Sequence, residues 1–158
     1  MAKQLQNPLK LFYSYAREDA ALRLELARHL NTLERAAIIQ TWHDSNIEIG
    51  TEWDLKIQEK LAEADIILML LSSDFLYSDY INQKEIPLAL RRYDDPDDSV
   101  LVVPILLRNC FWDISPISGL QLLPRSGKPI SRSEDRDTAF TEITKELYQI
   151  IHKKKSPA

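Results

Sequence analysis

A single glutamate, Glu85, ends a stretch that begins at Ser72, leaves the apolar run Ile66–Leu71 and enters a helical pattern. In an open α/β sheet, the crevice outside the carboxyl ends of the strands is where ligands bind. A carboxylate delivered there can do chemistry; on an outer helix face it would only be solvated. Two other strand exits carry suitable side chains. Ser14, Tyr15 and Arg17 offer a hydroxyl, an aromatic ring and a guanidinium just before a helix N-terminus, a natural place for phosphate oxygens. The segment His43 to Trp53 is a loop ending in Gly50 and an aromatic, and the third exit leads through Tyr80 to Glu85. Taken singly, each exit is better explained by loop solvation or helix capping.

Other chemistries lack their parts. Three glycines cannot build a Walker loop or a G-x-G-x-x-G turn. His29, His43 and His152 lie far apart, and the single cysteine, Cys110, completes no zinc set with them; no metal is expected. His29 reads as a packed or surface residue, and Cys110 as a small apolar group. There is no G-x-S-x-G elbow. Any catalysis must rest on carboxylates, hydroxyls and aromatic surfaces at the strand exits.

The elements that would position these groups alternate as βαβα, the rhythm of a parallel sheet covered by helices on both faces. Leu9–Tyr15 is the first strand. A helix follows with Leu22, Leu26, Leu30 and Leu33 on one face, which turns Arg23 and Arg28 outward. Ile38–Trp42 is the second strand. Thr51 and Asp54 form a T-x-x-D cap that opens a helix burying Trp53, Ile57, Leu61 and Ala64. Ile66–Leu71 has no polar alternation and belongs mid-sheet. A helix spans about Asp79 to Tyr93, and Pro87 must kink or tighten it against the carbonyl of Gln83. Asp94–Asp98 is a solvated turn, lacking the glycine and terminal glutamate of a calcium loop. Val100–Leu107 is the fourth strand, Lys128–Ile130 at most a stub of a fifth, and Arg136–His152 the last helix.

The 158 residues make one domain, with a core from about residue 8 to 151. A net charge of −4 without a basic stripe argues against a nucleic-acid partner. Lys153–Lys155 reads as the solvated end of a helix. The longest apolar run is too short to cross a bilayer. With no secretory pattern and one cysteine, a cytoplasmic location is expected.

Read together, the segments resemble the Toll/interleukin-1 receptor (TIR) domain family, particularly its bacterial members. Phe12-Tyr13-Ser14-Tyr15-Ala16-Arg17-Glu18-Asp19 is similar to the family's opening box, and Trp42 to Trp53 to its second box. Leu70 to Glu85 is similar to the segment with the family's catalytic glutamate. Gly119–Pro124 and Gly127–Ile130 are similar to its closing region. The match covers about Pro8 to Ile151. It implies a flavodoxin-like three-layer α/β fold with a five-stranded parallel sheet in order 2-1-3-4-5. It also implies one of two jobs: cleaving the nicotinamide–ribose bond of NAD⁺, sometimes with cyclisation, or assembling with other TIR domains without turnover.

Under the first job NAD⁺ is a substrate rather than a cofactor, and Glu85 faces the charge that develops on the ribose. Arg17 and the first helix N-terminus take the diphosphate, and Ser14, Tyr15, Trp53 and Tyr80 complete the site. Self-association through the loop Asp44–Gly50 switches activity on, in a bacterial defence or signalling context. One position departs from the family. The aromatic common four residues before the glutamate is Ile81 here, and Tyr80 lies five before it. On a regular helix that places Tyr80 about 140° from Glu85. Stacking then falls to Trp53 or Tyr15 unless Tyr80 lies outside the helix. An aromatic common before the last helix is replaced by Arg132-Ser133. A response-regulator-like phosphoacceptor is set aside, because Ser72 stands where its aspartate would end the third strand.

Overall fold

Strand β3, Ile66–Leu71, is buried along its whole length and organises the molecule. The computed structural model describes residues 7–42 and 51–155, excepting the side chains of residues 51–53 and 155. β1 (Leu9–Ser14) pairs on one side of β3, and β4 (Leu101–Leu106) on the other. β2 (Ile39–Trp42) pairs outside β1. All pairings are parallel, in the order β2-β1-β3-β4. The register sets Ser14 beside Met69 and Leu71 beside Leu106, so the strands end along a common edge.

The period of two divides β3 between two cores. Ile66, Leu68 and Leu70 join Leu11 and Tyr13 under α1 (Ala20–Arg35) and α5 (Arg136–Lys155). Ile67, Met69 and Leu71 join Phe12 under α2 (Thr51–Glu63) and α4 (Ile86–Asp94). Both faces of the central strand are therefore apolar, each side chain contributing about 1.5–3 kcal/mol on burial. No helix among the described residues is long and apolar enough to cross a membrane.

Three expectations are corrected. The sheet has four strands among the described residues, in place of five. Where a fifth would lie, Leu123 makes one parallel bridge to Ile105, and Ile130 opens a 3₁₀ turn, Ile130–Arg132. Pro124 and Pro129 bracket this stretch, and each lacks the N–H that a ladder needs. Pro104 fits β4 because β4 has only that single bridge on its outer side.

The helix expected over Asp79–Tyr93 is not continuous. A short α3, Ser73–Tyr77, comes first, with Ser72 Oγ accepting the Phe75 N–H at 3.0 Å. A π turn, Ile81–Glu85, then feeds α4, and the Ile86 N–H bonds back to Ile81 O. Pro87 sits in the first turn of α4. It offers no donor, and widening the turn relieves its ring against the carbonyl of Gln83. Arg23, finally, does not point outward: it is 9% exposed. Arg28 is exposed, as expected.

Candidate functional site

The edge where the strands end holds a pocket of about 670 Å³, walled by the end of β1, the start of α1, Trp42 and the π turn. Tyr15, Arg17, Tyr80 and Glu85 all line it. The widened turn explains why Tyr80 and Glu85 share a wall. A π turn bonds i to i+5 and turns less per residue than an α-helix, so positions five apart across it lie closer to one face than on a regular helix. Tyr80 therefore reaches the pocket without the loop that a regular helix would have demanded.

Glu85 is 6% exposed, and its Oε1 accepts a 2.6 Å hydrogen bond from Ser14 Oγ. Ser14 is wholly buried at the last residue of β1, so it holds the carboxylate from beneath rather than facing the pocket. The strand end and the π turn thus fix the carboxylate from two directions. Tyr80 Oη donates to Asp54 Oδ1 at 2.6 Å, tying the π turn to α2. Burial, and then that bond, push the Tyr80 hydroxyl well above its ordinary value, so the ring stays neutral. The Tyr80 bond, with one from Gln58, holds the Asp54 carboxyl below its usual range. On the other wall Trp42 stacks on Phe12 at 5.6 Å.

Arg17 lies exposed in a 3₁₀ turn, Arg17–Asp19, that precedes α1. This turn also sets Glu18 and Asp19 at the start of the helix. The exposed Glu18 carboxylate there opposes the expected capture of phosphate by the helix N-terminus. Arg23 is the group the sequence reading missed. Its guanidinium carbon lies 5.6 Å from the Tyr13 ring centre and 5.3 Å from that of Tyr15, and the residue lines the pocket. Trp53 and the loop Asp44–Gly50 carry expectations that lie outside the described side chains, as does His43.

A second polar cluster lies beside the pocket. Buried Asp19 accepts from Ser72 Oγ and, at 2.7 Å, from Arg108 Nε. Arg108 Nη2 donates to Asp74 at 2.6 Å. The two carboxylates hold the guanidinium charged, above its ordinary value. Elsewhere, His29 stacks on Phe140 at 5.4 Å and meets Asp137 at 3.2 Å. Burial pushes the Cys110 thiol up, which disfavours a thiolate nucleophile. No cluster suited to a metal occurs among the described residues.

A TIR domain family model matches residues 11–144. An uncharacterized protein of Sinorhizobium fredii (strain NBRC 101917 / NGR234), y4lF, is 38% identical over 135 residues, which is 85% of this chain and 41% of that protein. The chain therefore spans less than half of that relative's length. Among solved structures, the TIR domain of the Toll-related receptor TRR-2 from Hydra magnipapillata is similar with a TM-score of 0.57. It is 16% identical, with 90% of this chain and 97% of that one covered. The RPS4 and RRS1 TIR domain heterodimer is similar with a TM-score of 0.56 at 14% identity, covering 92% of this chain and 99% of that one. At these identities the structural likeness shows the fold.

Proposed function

This chain belongs to the TIR domain family, and from that premise we propose that it cleaves the nicotinamide–ribose bond of NAD⁺, with Glu85 as the catalytic carboxylate. The observation that carries the reading is the buried Glu85 carboxylate, pinned by Ser14 in the wall of a pocket at the strand ends. The C–N bond breaks with its electron pair going to nicotinamide, which leaves neutral from a cationic ring and needs no acid. Positive charge develops on the ribose. A carboxylate fixed in a site of low exposure stabilises that charge more strongly than solvent would, because it need not reorganise. Water, or a nucleophile within the substrate, then bonds to the ribosyl carbon; water gives its proton to solvent. Tyr15 and Tyr80 supply ring faces, and Arg17 a cation at the exposed rim.

Purified protein incubated with NAD⁺ at rising protein concentration, with and without a crowding agent, should release nicotinamide. Release that climbs faster than protein concentration would support activation by self-association. No release at any concentration leaves the second reading, an interaction module without turnover. Two observations favour that alternative: a structural neighbour is a TIR heterodimer, and Phe111 and Ile114 stand exposed on the connection after β4.

A further inference from the structure

Among the described residues, three buried side-chain polar atoms lack a hydrogen-bond partner: Tyr13 Oη, Arg23 Nε and Ser115 Oγ. Two of the three belong to residues that line the pocket of Glu85. Arg23 makes no ion pair among the described residues, although it is a cation 9% exposed. Burying such a charge is costly unless something compensates it. The faces of Tyr13 and Tyr15 compensate in part, each ring centre lying within about 6 Å, where a cation is attracted. An anion in the pocket would complete the compensation. A desolvated guanidinium fixed between two rings is also well prepared to bind one, since little side-chain freedom remains to be lost.

The alternation of β1 says where that anion lies. Ser14 turns to one side of the strand, where it holds Glu85, while Tyr13 and Tyr15 turn to the other, where they hold Arg23. The pocket that Glu85 lines reaches both sides across the strand's end. Its carboxylate and its buried cation are therefore set apart, and one ligand that meets both must be long, with a cationic or cation-forming end and an anionic middle. A nucleotide with a diphosphate has that form. We propose that Arg23 is the anion anchor of the pocket, taking the diphosphate of a dinucleotide that lies across the end of β1. The proposal rests on the pocket being the NAD⁺ site, and it assigns the phosphates to a residue deeper than Arg17.

The test separates phosphate recognition from turnover. Isothermal titration of the wild-type protein with inorganic pyrophosphate and with ADP-ribose should show binding, and Arg23→Met should weaken both about tenfold or more. In kinetics, Arg23→Met should raise KM for NAD⁺ by a similar factor with kcat nearly unchanged. It should leave nicotinamide riboside, which carries no phosphate, cleaved at the wild-type kcat/KM. Arg28→Met, on the exposed face of α1, serves as the control and should match wild type throughout. Arg23→Lys keeps the charge without the fork and should fall between. If Arg23→Met does not fold, the Arg23→Lys affinity for pyrophosphate decides, and an unchanged value overturns the proposal. Equal losses toward NAD⁺ and nicotinamide riboside, or no pyrophosphate binding by wild type, also overturn it. Arg23-dependent binding of ADP-ribose without nicotinamide release would instead defeat the enzyme reading and leave the anion anchor standing.

Discussion

Two polar clusters sit side by side at the carboxyl edge of the same sheet, and they are built to opposite standards. In the Asp19–Ser72–Arg108–Asp74 cluster every charge meets its opposite and Asp19 accepts from two donors. In the Glu85 pocket the carboxylate is pinned, but Arg23 Nε and Tyr13 Oη, across β1 from it, have no hydrogen-bond partner among the described residues, and both residues line the same cavity. A satisfied cluster has spent its interactions on holding elements together. An unsatisfied one, buried at some cost, keeps its interactions for a ligand. The first cluster fastens the start of α1 to the exits of β3 and β4, which fixes the wall on which Tyr15 and Arg23 stand.

If this contrast is right, substitutions in the two clusters should separate activity from stability. The largest effect belongs to Glu85→Gln, which keeps the size and the Ser14 contact but removes the charge. It should lower kcat about 10²–10³-fold, with the melting temperature nearly unchanged. Next is Arg108→Met, which leaves buried Asp19 without its cation. A loss of about 2–3 kcal/mol is expected, below that of a fully buried pair because Arg108 is one-third exposed. Denaturant unfolding reads it, and activity per folded molecule should survive. Ser14→Ala should reverse that pattern, lowering kcat about tenfold by freeing the carboxylate while costing only about 1 kcal/mol of stability.

The smallest effect is one of pH. The Arg92 fork holds the Asp98 carboxyl below its usual value of 3.8. A carboxyl depressed on folding adds stability at neutral pH that disappears as pH falls through the depressed value. Asp98→Asn should therefore flatten the acid limb of an unfolding profile below pH 3.8 without touching turnover.

What the sequence discloses and what it hides follow from range. The strand Ile66–Leu71 is legible because burial on both faces leaves an unbroken apolar run. Glu85 is legible because an element's end can be counted from that run. The π turn is not, since one inserted residue shifts the helical phase within a stretch too short for a period to be read; Pro87 signals a disturbance but not its form. Arg23 misleads because residue type argues for solvent, while its burial depends on two rings presented by another element. The Arg108–Asp19 pair spans 89 residues and carries no local signature. The missing fifth strand reflects two prolines whose effect on pairing depends on the edge they meet.

The most direct test of the central claim is the quantity of nicotinamide that wild-type protein releases from NAD⁺, measured beside Glu85→Gln at matched concentrations that include the most concentrated attainable. Nicotinamide from the wild type, matched by ADP-ribose or its cyclic isomer and nearly absent from the variant, is the result predicted. Equal release from both proteins, or none from the wild type at any concentration, would contradict it.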